Sequence, residues 1–157
     1  MYLNILNILK QTAADGVGLR NTLFLAGCPH YCKGCHNPSS WNLENGTIKS
    51  IEDVAKELLD DYCNITISGG EPFEQIDGVI ELVKLLKQYK KNIWVYTGYT
   101  YEELLKILTP TQQEIFQYID VLVDGKYIEK LRDLSRFCGS TNQRILHFEN
   151  GNIVKIE

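Results

Sequence analysis

The chain has 157 residues, 44% of them hydrophobic, and a net charge of −4 from 16 Lys and Arg against 20 Asp and Glu. This composition fits one folded domain over residues 1–157 and excludes a disordered chain. The acidic balance gives no general grip on nucleic acid or anionic lipid, and no apolar run approaches the ~18 residues of a membrane span.

The opening MYLNILNILK has no basic leader and carries two Asn within its apolar part. It is therefore expected to form a strand at the sheet edge rather than a targeting signal, in a cytoplasmic protein. Residues 22–26 (TLFLA) form a short apolar run suited to a buried strand. Ser50, with Asp53 three residues on, caps a helix in which Ile51, Val54, Ala55, Leu58 and Leu59 recur at helical spacing. Residues 65–68 (ITIS) predict the next strand. Ile76, Val79, Ile80, Val83 and Leu86 then mark one face of a second helix, with Lys84, Lys87, Lys90 and Lys91 as its wet face and exit. Residues 93–96 (IWVY) predict a third strand, and Thr100 with Glu103 makes a capping box for a helix carrying Leu104, Leu105 and Leu108. A further helical stretch near Thr109 and Pro110 leads to a strand at residues 121–123. Asn150-Gly151 between two alternating runs predicts a terminal β-hairpin, in which His147 reads as a surface or packed residue.

Strands alternating with amphipathic helices favour parallel pairing through right-handed crossovers, hence an α/β fold. A complete (β/α)8 barrel needs about 250 residues, so the expectation is a partial, open (β/α) barrel with mostly parallel strands and a C-terminal β-hairpin. The loops that begin at Cys28, Gly69, Thr97 and Asp124 would then leave the same edge of the sheet, where such sheets bind ligands.

Five cysteines are present, and Cys28, Cys32 and Cys35 crowd into CPHYCKGC as C-x3-C-x2-C. Three thiols on one loop suit a soft metal or an iron–sulphur cluster. Structural zinc would call on His30, His36, Cys63 or Cys138 as fourth ligand, whereas a four-iron cluster can leave one iron open. Otherwise Cys63 and Cys138 read as small buried residues. GVGLRN precedes its strand and ends at Asn21, which argues against a Rossmann nucleotide loop. SGGEP (residues 68–72) ends a strand with two glycines, which let backbone approach a ligand, and Pro72 sets the exit.

The triad, framed by DGVGLR and HNPSSW, resembles the radical S-adenosylmethionine enzymes that activate glycyl-radical proteins. With SGGEP, WVYTGY, VLVDGKYIEKLRD and GSTNQRI following in order, nearly the whole chain resembles the activating proteins of anaerobic ribonucleoside-triphosphate reductase. The resemblance implies a [4Fe-4S] cluster on Cys28, Cys32 and Cys35 and S-adenosyl-L-methionine as cofactor. It places Gly69, Gly70 and Glu71 at the methionine amino group, Asp124 and Lys126 at the ribose or carboxylate, and Thr97 nearby. Arg20 becomes a candidate contact to cluster, cofactor or partner, against a plain turn ahead of the strand. Gly34 stands where many such enzymes have an adenine-packing aromatic, which leaves Tyr31 or His36 for that task. The implied partners are the large reductase subunit, whose glycine would carry the radical, and a one-electron reductant such as flavodoxin or ferredoxin. Asn142 and Arg144 are candidates for docking that subunit, or else for tying the hairpin to the sheet. An activase of another glycyl-radical enzyme, such as pyruvate formate-lyase, and a non-catalytic zinc or iron–sulphur module are the alternatives.

Overall fold

A computed structural model describes residues 1–157 as one mixed sheet of eight strands with helices between them. The strands are β1 (Tyr2–Thr12), β2 (Arg20–Leu25), β3 (Thr47–Ser50), β4 (Asn64–Gly69), β5 (Ile93–Tyr96), β6 (Val121–Asp124), β7 (Arg144–Glu149) and β8 (Asn152–Ile156). Their spatial order is β3-β1-β2-β4-β5-β6-β7-β8. Only β2-β4, β4-β5 and β5-β6 pair in parallel; the other four pairings are antiparallel. The sheet is thus partly parallel rather than mostly so, because β1, β3 and the hairpin extend both flanks of a four-strand parallel centre. Nor is β1 an edge strand. The chain after β2 returns past it and lays β3 on its free side, with Tyr2 opposite Ser50.

The helices form where capping and periodicity place them. In α1 (Ile51–Leu58) the Ser50 hydroxyl accepts the Asp53 N–H, and Val54 and Leu58 are fully buried, each worth about 1.5–3 kcal/mol of apolar burial. The second helix, α2 (Ile76–Lys87), buries Val79, Leu82, Val83 and Leu86. Its lysines are more than a wet face: Lys84 pairs with Glu114, Lys87 with Asp120, and Lys91 donates to the carbonyls of Asp61 and Cys63. A full capping box opens α3 (Tyr101–Ile107), which buries Leu104 but turns Leu105 outward. The stretch beyond Pro110 tightens into a 3-10 helix (Gln112–Gln117). Asn150 and Gly151 both take positive φ, as the two-residue hairpin turn requires.

The period-2 alternation of the central strands gives the sheet two different faces. Leu23, Leu25, Ile65, Ile67, Val95 and Leu122 point into the main core under the helices. On the other face Trp94, Val121, Val123, Ile145 and Cys138 form a small cluster, while Thr22, Thr66 and Ser68 bring hydroxyls there. Two loops cover that face. Asp15 accepts the Thr22 hydroxyl through its carboxylate and the Thr66 hydroxyl through its carbonyl, and the Tyr96 hydroxyl donates to the Phe137 carbonyl. Between these loops a cavity remains open.

Candidate functional site

The cavity measures about 590 Å³, inside the ~300–1,000 Å³ range of sites for drug-sized ligands. Cys28, Gly69, Thr97 and Gly125, each at or just beyond the end of a parallel strand, line it together. The expectation that four strand-end loops converge therefore holds in space.

Cys28, Cys32 and Cys35 all reach this cavity as free, half-buried thiols. Backbone bonds shape their loop: Gly27 donates to the Ser40 carbonyl, Cys28 to that of Trp41 and Cys35 to that of Cys32. The Asn37 N–H points at the Cys35 sulphur, at 3.4 Å. Tyr31 and Gly34 take positive φ, which lets the chain reverse twice within eight residues. Burial pushes the Cys28 thiol up to about 11 and raises the Cys32 thiol as well. At neutral pH a metal must displace those protons to bind.

The glycines of SGGEP sit against this loop. Gly70 N–H donates to the Leu25 carbonyl and Glu71 N–H to that of Gly27. A Cβ at Gly69, whose φ is +100°, would lie 2.1 Å from the Leu25 nitrogen, and one at Gly70 would lie 2.2 Å from the Gly27 oxygen. Both positions thus exclude a side chain.

Glu71 itself does not face the cavity. Its carboxylate is wholly buried, accepts the N–H groups of Phe73 and Gly98, lies 2.9 Å from the Thr97 hydroxyl and 2.7 Å from His30 Nε2. The carboxylate expected to receive a ligand amine is instead consumed by four protein groups. Those groups come from the cysteine loop, from its own loop and from the turn after β5. His30, which sequence reasoning considered only as a zinc ligand, joins the first of these to the second. Its position between Cys28 and Cys32 was the available signal.

Asp124 is likewise engaged by protein groups. It is buried, accepts the Tyr101 N–H and pairs with Arg144, which also bonds Glu102 at 2.8 Å. These hydrogen bonds raise the Arg144 guanidinium and hold Glu102 below the usual carboxylate range. Lys126 is exposed and lies outside the cavity lining. Asn142 bonds Ser140 and the Lys126 carbonyl, so both candidate docking residues are engaged within the chain. Arg20 is buried too, bonded to Thr66, Asn92 and the carbonyls of Val17 and Ile65, with its guanidinium over the Trp94 ring. Desolvation lowers it to about 10. It fastens the covering loop to the sheet and touches no ligand space.

Of the candidate aromatics, His36 lines the cavity and its ring lies 4.8 Å from that of Tyr127, which also lines it. Tyr31 packs on Trp41 outside the lining. Cys138 borders the cavity, whereas buried Cys63 immediately precedes β4, at the other end of the parallel strands. Cys63 therefore cannot complete a site with the cysteine loop.

The donors fit an iron–sulphur group on two counts. Three thiols share one loop facing the cavity, and Trp41, a residue of the cavity lining, has a buried indole N–H with no protein acceptor.

The 4Fe-4S single cluster domain family matches residues 14–146, spanning the cysteine loop and every strand that lines the cavity. The chain is 39% identical over 145 residues to the anaerobic ribonucleoside-triphosphate reductase-activating protein of Vibrio cholerae, covering 85% of this chain and 91% of that one. The protein of the same name from Haemophilus influenzae is 36% identical over 160 residues, with 94% and 99% covered, and that of Enterobacteria phage T4 is 36% identical over 140, with 83% and 85% covered. The chain belongs to the family of anaerobic ribonucleoside-triphosphate reductase-activating proteins.

Proposed function

We propose that this chain is a radical S-adenosylmethionine activase that generates a glycyl radical on the large subunit of an anaerobic ribonucleoside-triphosphate reductase. The observation that carries this reading is the convergence of three half-buried thiols and the Gly69-Gly70 turn on one cavity at the ends of the parallel strands. Family membership supports the partner.

Cys28, Cys32 and Cys35 would hold a [4Fe-4S] cluster. When bound, the cluster supplies the electron that cleaves S-adenosyl-L-methionine reductively, which provides for removal of a glycine hydrogen from the partner. The chain's own part is to bind, orient and keep out water. Gly69 and Gly70 offer backbone to a ligand's polar end, and their missing side chains make room for the backbone of Leu25 and Gly27. Thr97 lines the wall beside them, and His36 with Tyr127 offers ring surface for a base. Glu71 acts behind this wall by holding the cysteine loop, the glycine turn and the Thr97-Gly98 turn in one arrangement. The loops over the hydroxyl-bearing sheet face limit solvent access from below.

In this reading residues 1–157 are one domain, and the sheet curls as a partial barrel left open so that a partner's glycine loop can enter. No helix is long and apolar enough to cross a membrane, in keeping with a cytoplasmic enzyme served by a one-electron reductant such as flavodoxin or ferredoxin. The test is anaerobic reconstitution with iron, sulphide and zinc analysis of the parent and of single Cys→Ala variants. About four irons per chain are expected, lost in Cys28→Ala, Cys32→Ala and Cys35→Ala but kept in Cys63→Ala and Cys138→Ala. Tightly held stoichiometric zinc that depends on Cys138 would refute the cluster assignment.

A further inference from the structure

Between β6 and β7 the chain runs from residue 125 to 143 without a regular strand, closing on itself through bonds from Asp133 to Gly139 and from Thr141 to Leu131. Its sequence holds four cations, Lys126, Lys130, Arg132 and Arg136, against two acids, Glu129 and Asp133, and Lys33 of the cysteine loop, whose neighbour Gly34 abuts Glu129, adds a fifth cation. Five cations against two acids make a patch of +3 on a chain of −4. All five are exposed, and none joins an ion pair. Elsewhere Lys10, Lys49, Lys84, Lys87, Arg144 and Lys155 are each neutralised by a carboxylate, and the other exposed unpaired lysines, Lys56, Lys90 and Lys106, lie singly on α1, after α2 and on α3.

The patch borders the thiols. Tyr127 and Arg136 line the same cavity as the three thiols, and a Cβ at Gly34, one residue before Cys35, would come 2.9 Å from the Glu129 side chain. Ile128, Leu131 and Leu134 stand among the cations and are 42%, 42% and 57% exposed. Apolar side chains interleaved with arginine and lysine are the makings of a protein interface rather than of a phosphate site.

We infer that this loop, with Lys33, is the docking surface for an acidic one-electron donor protein. The inference deepens the activase reading and rests on it. Positive charge beside the thiolates steers an acidic partner to the shortest route for an electron, and a few exposed apolar contacts suffice for a complex that must release again. The donor is oxidised by one electron and the cluster reduced by one; no bond forms or breaks.

The experiment follows reduction of the reconstituted cluster by a reduced flavodoxin of net negative charge, using stopped-flow absorbance, and measures binding of the same flavodoxin by calorimetry. Parent protein is compared with Lys130→Glu/Arg132→Glu and with Lys56→Glu/Lys106→Glu, which makes the same change in net charge at exposed, unpaired lysines of α1 and α3. In low salt the loop variant should bind and be reduced at least ~10-fold more weakly and slowly, and the gap should close as salt rises. The helix variant should stay within about twofold of the parent, and dithionite should reduce all three alike. Lys130→Gln/Arg132→Gln should fall between parent and reversal, which separates charge from misfolding. Equal rates and affinities in the two Glu variants would overturn the inference. So would an unchanged flavodoxin rate with a lower dithionite-driven radical yield on the reductase, because the loop would then dock that partner. A parent that builds no cluster would fail the activase reading and this inference together; a parent that builds one and is reduced independently of these charges fails the inference alone.

Discussion

Glu71 and Asp124 are two carboxylates at or just past the ends of β4 and β6, the parallel strands on either side of β5, both expected to meet a ligand and both buried with their oxygens engaged. What differs is the origin of their partners. Glu71 gathers groups from three segments that wall the cavity, including His30 between two of the thiols. Asp124 gathers the start of α3 and the start of β7, which carry the fold. An acid at a strand end can thus organise a site without touching its ligand, and its partners tell which part of the molecule it organises.

The largest effect should come from Glu71→Ala. It strands a histidine, a hydroxyl and two backbone N–H groups without their common acceptor, at a cost of about 3–5 kcal/mol if the pair is broken as a buried charge would be. Chemical denaturation should show that loss, and iron retained per folded chain should drop with it. Next comes Arg144→Ala, which leaves Asp124 buried without its counter-ion and should cost about 2–4 kcal/mol, somewhat less than a fully buried pair because Arg144 is one-third exposed. Here iron content and cofactor cleavage per folded chain should match the parent at low temperature. A fall in either would give Asp124 the ligand role after all.

His30→Ala should cost about 1–3 kcal/mol and weaken iron retention, while His30→Gln, which can still donate to Glu71, should restore part of it. If the two variants lose iron equally, the bond does not hold the loop. Smallest is Glu102→Gln, worth roughly 0.2–1 kcal/mol because this partner of Arg144 is mostly exposed. Folding holds the Glu102 carboxyl below its ordinary value, so its contribution is present above about pH 4.3 and disappears as pH falls through the native pKa. Parent and variant stabilities should therefore converge in acid.

Much of this architecture was legible from local signals. Ser50 with Asp53 and Thr100 with Glu103 mark element boundaries through bonds that span three residues, and Asn150-Gly151 marks one through its positive φ angles. The shared edge of the four loops followed from strand direction alone. The place of β3 did not, because TIKS pairs with a strand far back in the chain, Thr47 with Ile5 and Ser50 with Tyr2, and its own pattern is too short to show it. The protein partners of Arg20, Glu71 and Asp124 stayed hidden for a related reason. A charged residue at a strand end looks the same in sequence whether it faces a cavity or a buried partner, and only the three-dimensional arrangement of Asn92, His30 and Arg144 decides.

The most direct measurement is electron paramagnetic resonance of an anaerobic ribonucleotide reductase large subunit incubated with the reconstituted chain, S-adenosyl-L-methionine and a strong reductant. A glycyl-radical signal on that subunit is expected, absent when the chain, the cofactor or any one of Cys28, Cys32 and Cys35 is missing. A full cluster with cofactor cleavage but no radical on the reductase, or a radical on pyruvate formate-lyase instead, would contradict the account.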